Sequence, residues 1–269
     1  MIKWSINLST LLLEYPFLDR FQAAADLGFA AVEFLWPRGV DLDDLVRAQR
    51  AAGVTVALFN ADGGDLAAGE RGFLGNPAKA KYLLENFEFA LDLADVLPCP
   101  LVHVLGGTTI AGLTREAMLT EATRAHHELC ALAASYDVTL TLEALNRKDI
   151  PGFLFPATAL ALEQLRRVDR PNLKLQYDVY HMQRTEGDII ETIRAHIGDI
   201  AHIQVADVPG RHQPGTGELN FPAIFRAIED TGYAGYIGLE YLAQTSTAEA
   251  VAWLPREFRK TCNASVIQM

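Results

Sequence analysis

The chain has 269 residues, 50% of them hydrophobic, and carries 23 Lys+Arg against 34 Asp+Glu for a net charge of −11. That length can bury a large core, as one barrel-type domain or two smaller ones. The acidic balance fits ordinary solubility and argues against a phosphate-backbone partner, which calls for a basic face.

In chain order, the N-terminal MIKWSINLSTLLLEYPF alternates at Ile2, Trp4, Ile6 and Leu8 and offers no long apolar span or small-residue cleavage site. Neither a signal peptide nor a membrane helix is expected. Short β-rich runs follow one another at Lys3–Leu8, Ala31–Leu35, Val54–Asn60, Leu101–Leu105, Val138–Glu143, Leu173–Asp178, Ile200–Ala206 and Tyr236–Glu240. Between them lie stretches with helical spacing. Leu18–Leu27 comes first, then Leu42–Ala52 with an Asp41 cap and a Gly53 stop. Ala78–Val96 runs up to Pro98, and Arg115–Tyr136 follows a Thr114 cap. Ala157–Val168, Ile189–Ile197, Pro222–Asp230 and Thr247–Lys260 complete the set. The three cysteines, Cys99, Cys130 and Cys262, form no metal-binding spacing and read as reduced packing thiols in a cytoplasmic protein.

Eight strand-plus-helix units of about 34 residues account for the whole length, since a βαβ unit takes roughly 30 or more. No Ser/Gly/Pro linker divides the chain, so residues 1–269 are expected to form a single (β/α)8 TIM-barrel domain. An open doubly wound sheet is the runner-up. It would carry a glycine-rich turn after its first strand, and NLSTLLLEYP has no glycine.

Barrels of this kind place their active sites at the C-terminal ends of the strands. The residues found there are Asn7, Glu33, Asn60, His103, Glu143, Asp178, Gln204 and Glu240. Any one of them alone would be an ordinary rim group. Glu143, Asp178, Gln204 and Glu240, however, sit at four successive strand ends, 35, 26 and 36 residues apart. Three carboxylates and an amide oxygen aimed at one point suggest a shared cation, and hard oxygen donors select Mg²⁺ or Mn²⁺. The alternative is a ring of carboxylates paired with Arg147, Arg184 and Arg211, which would not require one acceptor per successive strand.

Among the histidines, His126, His127 and His196 fall in helical runs and read as packing or capping groups. His103, His181, His202 and His212 lie near strand ends, and His181, three residues past Asp178, is the best placed to face a ligand. Arg211, or Arg71 in the glycine-rich GERGF stretch, is suited to clamp a substrate carboxylate in a bidentate pair.

The segments LEALN, KDIPG, QYDVYHMQ, HIQVADVPGRHQPGTGELNF and IGLEY, with WSINLS and GERGF, together resemble the hydroxypyruvate isomerase family within the xylose isomerase-like barrels. The resemblance spans essentially the whole chain. It implies that Glu143, Asp178, Gln204 and Glu240 hold a divalent metal, that Glu143 and Glu240 are also the acid/base pair, and that His181 and Arg211 contact substrate. Gln204 is similar to this branch, whereas related ketose 3-epimerases usually have histidine there. Ala144 and the apolar FLFPATA at 153–159 depart from the family pattern and bear on substrate identity or on an oligomer contact.

The implied reaction is isomerisation of a small hydroxy-oxo acid, hydroxypyruvate to tartronate semialdehyde, by Glu/Glu proton transfer through an enediolate. A 2-oxo-tetronate isomerase is the nearest alternative and a ketose 3-epimerase a weaker one. From other classes come an abasic-site endonuclease, disfavoured by acidity and by few suitable histidines, and a non-catalytic sugar-acid binding protein. A homo-oligomer, dimer or tetramer, is expected, with Phe153–Leu162 as a candidate outer face.

Overall fold

A computed structural model describes residues 1–267. Eight parallel strands are present: β1 (Ile2–Asn7), β2 (Ala31–Phe34), β3 (Thr55–Asn60), β4 (Leu101–His103), β5 (Thr139–Glu143), β6 (Leu173–Asp178), β7 (Ile200–Val205) and β8 (Tyr236–Leu239). Each pairs with the next, and β1 pairs with both β2 and β8, which closes the barrel. A two-residue strand, β9 (Thr261–Cys262), adds antiparallel to β1.

Helices fill the connections: α1 (Asp19–Asp26), α2 (Leu42–Ala52), α3 (Ala80–Val96), α4 (Arg115–Ala133), α5 (Thr158–Val168), α6 (Val179–Thr185), α7 (Ile189–His196), α8 (Phe221–Asp230) and α9 (Thr247–Ala250). The sequence signals act where expected. Asp41 accepts from the Asp44 N–H at 3.0 Å, and Gly53 ends α2 with φ at +66°. Thr114 caps α4 through the Ala117 N–H. Among the described residues, no helix is long and apolar enough to cross a membrane.

Two expectations fail. Thr247–Lys260 is not one helix: α9 stops at Ala250, and a separate 3-10 turn spans Arg256–Phe258. Pro255 has no N–H to give the Val251 carbonyl in a helical ladder, and the buried Arg259 guanidinium takes that carbonyl together with the carbonyl of Leu254. The apolar run at Phe153–Leu162 does not form an outer face either. Phe153, Leu154, Phe155, Ala161 and Leu162 are buried in this chain's own core, so they are unavailable to a partner copy.

The barrel's two faces divide sharply. Outward-pointing Trp4, Ile6, Val32, Phe34 and Ile203 are buried beneath the helices. The lumen is polar. In-register neighbours share a face, and the pairs Asn7/Glu33, Glu143/Gln176, Gln176/His202 and Asp178/Gln204 set polar beside polar around the ring. Buried polar groups must be hydrogen-bonded to be tolerated, so this lumen is either a satisfied network or a working site.

Candidate active site

At the C-terminal mouth, a cavity of about 140 Å³ is lined by Asn60, Arg71, Glu143, Gln176, His181, Gln204, Arg211 and Glu240, with Leu35, Leu66, Leu105, Leu145 and Ile150. That is small beside the roughly 300–1,000 Å³ of drug-sized pockets and suits a ligand of a few carbons. A wider cleft of about 410 Å³ shares Leu35, Asn60, Leu66 and Leu105 with it. Of the seven residues singled out in the sequence, six line the small cavity. The seventh, Asp178, is tied to it through Arg211 and His181.

Asp178 ends β6 and caps α6. Its Oδ1 accepts from the Tyr180 N–H at 2.8 Å, which leaves Oδ2 for the site. Helix α6 carries His181 onto the cavity wall, where Glu143, Asp178 and His181 bring ligand-capable atoms within 4.8 Å of one another. The loop after β5 fixes the imidazole. His181 Nδ1 receives the Asn146 backbone N–H at 3.3 Å, and the Asn146 side-chain nitrogen lies 2.7 Å from it. An Nδ1 that accepts leaves the proton of a neutral ring on Nε2, and Nε2 lies 3.7 Å from Asp178 Oδ2. Burial, then the charges of Arg211 and Arg184, push the His181 pKa well down, so the ring is neutral.

Arg211 lies on a long loop after β7 that Asp207 organises. The two Asp207 carboxylate oxygens accept from the N–H groups of Val208, Gly215, Gly217 and Leu219 at 2.8–3.1 Å. Gly217 is obligatory, since a Cβ there would stand 2.0 Å from the Val208 carbonyl oxygen. The loop is pinned again where Arg211 O accepts from Leu242 N at 2.7 Å, and Arg211 itself adopts φ of +55°. Its guanidinium lies 5.1 Å from the centroid of the Tyr180 ring, and Nη2 reaches Glu240 Oε1 at 3.0 Å and Asp178 Oδ2 at 3.3 Å.

The ion-pair alternative therefore holds for Arg211 alone of the three arginines weighed. Arg184 pairs with Asp149, and Arg147 is exposed. Arg71 lines the cavity with Nη1 fastened to the carbonyls of Leu66 and Glu70.

Three buried carboxylates thus face one guanidinium. Burial, then the charges of Asp178 and Glu240, raise the Glu143 pKa well above the ordinary carboxyl range. Burial likewise lifts Glu240 to about 8 against the opposing pull of Arg211, and Asp178 is raised for the same reason. Burial opposes the charge on Arg211, but Glu240, Asp178 and Glu143 outweigh it and keep the guanidinium protonated. The excess negative charge favours protons or a cation. Three carboxylates and the Gln204 amide oxygen are the kind of oxygen donors a hard divalent cation takes, and Glu143 and Asp178 already bring ligand-capable atoms within 4.8 Å of each other, so the donor chemistry fits one.

Sequence reasoning missed what lies beneath. Glu33, fully buried in the lumen, accepts from Ser5 Oγ, Asn7 Nδ2 and Gln204 Nε2 at 2.7, 3.2 and 2.8 Å, and lies 2.7 Å from His202 Nε2. Burial raises its pKa, but His202 and these hydrogen bonds outweigh burial and keep it ionised. Gln176 donates to Gln204 Oε1 at 2.7 Å and accepts from Thr141 Oγ1 at 2.9 Å. His103 Nδ1 donates to the Thr141 carbonyl at 3.0 Å, and its Nε2, without a hydrogen-bond partner among the described residues, lies 3.7 Å from Glu143 Oε2. The signal was present in the period-2 pattern, which puts Ser5, Glu33, Thr141, Gln176 and His202 on inward positions.

Comparison with known proteins bears on the fold and the family. The family model described as xylose isomerase-like TIM barrel matches residues 21–257. Hydroxypyruvate isomerase of Escherichia coli K12 is 37% identical, covering 94% of this chain and 98% of its own. A 2-oxo-tetronate isomerase of Cupriavidus necator is 38% identical with the same coverage. A solved structure from Brucella melitensis described as AP endonuclease, family 2, superposes with a TM-score of 0.91 at 37% identity, covering 94% of this chain and 98% of that one. An L-ribulose 3-epimerase structure, at 24% identity and TM-score 0.72, shares the fold. With a closed eight-stranded barrel, a polar mouth and relatives aligned over nearly its whole length, the chain belongs to the xylose isomerase-like TIM barrel family.

Proposed function

We propose that this protein is a cytoplasmic, divalent-metal-dependent isomerase that interconverts hydroxypyruvate and tartronate semialdehyde. The observation that carries the reading is the meeting of Glu143 and Glu240, with raised pKa values, in one small cavity that also holds His181, Gln204, Arg211 and Arg71. The names of the E. coli and C. necator relatives support the reaction class.

The two acids are isomers. One proton leaves the hydroxymethyl carbon, one arrives at the former carbonyl carbon, and a hydroxyl proton moves between the two oxygens through an enediolate. A carboxylate on one side removes the carbon-bound proton, and a carboxyl on the other delivers its replacement. Glu143 and Glu240 suit these roles because both line the same small cavity. His181, neutral with its proton on Nε2, donates to a substrate oxygen. Arg71 and Arg211 hold the substrate carboxylate, and the surrounding leucines exclude water. Mg²⁺ or Mn²⁺, held by Glu143, Asp178, Gln204 and Glu240, supplies Lewis-acid charge that acidifies the C–H beside the carbonyl.

The wider neighbouring cleft, and relatives named for it, favour a second reading with the same residues, a four-carbon 2-oxo-tetronate substrate. One experiment tests both. Purified protein is assayed with three- to six-carbon oxo-acids and ketoses, with Mg²⁺, Mn²⁺ or EDTA. Hydroxypyruvate should show the highest kcat/KM, and EDTA should abolish turnover. No turnover of any oxo-acid would refute the isomerase. Neither nucleic acid nor membrane enters the reading, so plasmid DNA should remain intact with added Zn²⁺. The three buried, unpaired cysteines suit a reducing cytoplasm, and a dimer or tetramer is the assembly to be checked by light scattering.

A further inference from the structure

We propose that Glu33 is a positioning residue: it sets the amide of Gln204 so that its oxygen, not its nitrogen, is available to the cation. The inference rests on the metal-binding role proposed for Gln204. An amide presents two similar-sized ends with opposite chemistry, and only the oxygen can be a ligand. Something must decide which end faces the cavity.

Glu33 is an acceptor at both oxygens, and it sits below the cavity floor, fully buried in the lumen. Gln204 Nε2 donates to its Oε1 at 2.8 Å, and turning the amide over would set an oxygen against that carboxylate. The constraint passes outward along one direction. With Gln204 Oε1 facing the other way, Gln176 must offer Nε2, which it does at 2.7 Å. Gln176 Oε1 then receives the Thr141 hydroxyl at 2.9 Å. Every amide in the row is therefore polarised by one anion. Gln204 Oε1 has one lone pair on Gln176 and keeps the other for a ligand.

The anion is itself fixed. Ser5, Asn7 and His202 hold its two oxygens, and Gly238 leaves the room it needs: a Cβ at 238 would stand 2.2 Å from Glu33 Oε2. Glycine at 238, in register with Ser5 and Gln204, is thus explained by the carboxylate it accommodates. Outer-shell partners of metal ligands typically govern affinity by about 10–100-fold.

The test is a double-mutant cycle on Mn²⁺ affinity, read from the EPR signal of free Mn²⁺, with circular dichroism confirming the fold. Glu33→Met should weaken Mn²⁺ binding by about 10–100-fold in the wild-type background. In a Gln204→Ala background, where no amide remains to be oriented, the same substitution should change affinity by less than about twofold. Gly238→Ala, a milder displacement of the carboxylate, should weaken binding in the same direction and lose its effect in the same background. It carries the test if Glu33→Met does not fold. Unchanged affinity in Glu33→Met, or an equal loss in both backgrounds, overturns the positioning role and leaves the cation site standing. A wild-type chain that binds no Mn²⁺ overturns the site and the inference together.

Discussion

Replacing Glu240 with glutamine should make the cation-free protein more stable at pH 8 while disabling it. The side chain keeps its shape and an oxygen for Arg211, which donates to it at 3.0 Å, so neither a cavity nor an orphaned donor is created. What disappears is one of three buried negative charges. The folded pKa of Glu240 is raised from 4.5 to about 8, so the folded chain holds this proton more tightly than the unfolded chain does. The sign follows: the contribution to stability is intact below about pH 4.5 and drains away as pH climbs through 8. With about 1.36 kcal/mol per pKa unit, the loss is on the order of 4 kcal/mol at pH 8 and about 1 kcal/mol at pH 5. At roughly 2–4 °C per kcal/mol for a chain of this size, Glu240→Gln should raise Tm in EDTA by about 8–16 °C at pH 8 and by only about 2–4 °C at pH 5. Paired thermal melts across pH 5–8 make the measurement. A lower Tm than wild type at pH 8 would show Glu240 to be held ionised by Arg211 as a structural pair, and the reasoning would fail.

Other consequences are as direct. Glu143→Gln and Glu240→Gln should each lower kcat/KM on hydroxypyruvate by about 10²–10⁴-fold, the usual worth of a positioned acid or base, with the far-ultraviolet spectrum unchanged; near-normal turnover would reject their roles. Because a cation must displace protons from these raised carboxyls, apparent Mn²⁺ affinity should climb steadily from pH 5 to pH 8. A titration flat in pH would contradict that. Asp207→Ala strips the acceptor from four backbone N–H groups and loosens the loop that carries Arg211. It should raise KM by about tenfold or more, each lost buried hydrogen bond being worth about 1 kcal/mol, and Asp207→Asn should do less.

Much of this molecule could be read from its residues because barrel strands announce themselves twice, by alternation and by the polar residue that ends them. All eight strands lie within two residues of their expected bounds, and the seven chosen site residues gather at one mouth. The failures differ in cause: Pro255 is a local stop inside Thr247–Lys260, and tertiary contacts decided the rest. Thr247–Lys260 has helical spacing, but Arg259 spends its guanidinium on carbonyls of that segment and on Leu27 O. Phe153–Leu162 resembled an outer apolar face because sequence shows hydrophobicity and not what covers it. The Glu33 network was hidden for the opposite reason. A glutamate in AVEF looks like a rim residue until neighbouring strands bring Ser5, Asn7, His202 and Gln204 around it. Register between distant strands cannot be read from either strand alone.

The central claim is that Glu143, Asp178, Gln204 and Glu240 share one cation. Anomalous diffraction from crystals grown with Mn²⁺ tests it most directly. A single strong peak coordinated by those four side chains is the predicted result. A peak bound elsewhere, or none at the barrel mouth, would contradict it.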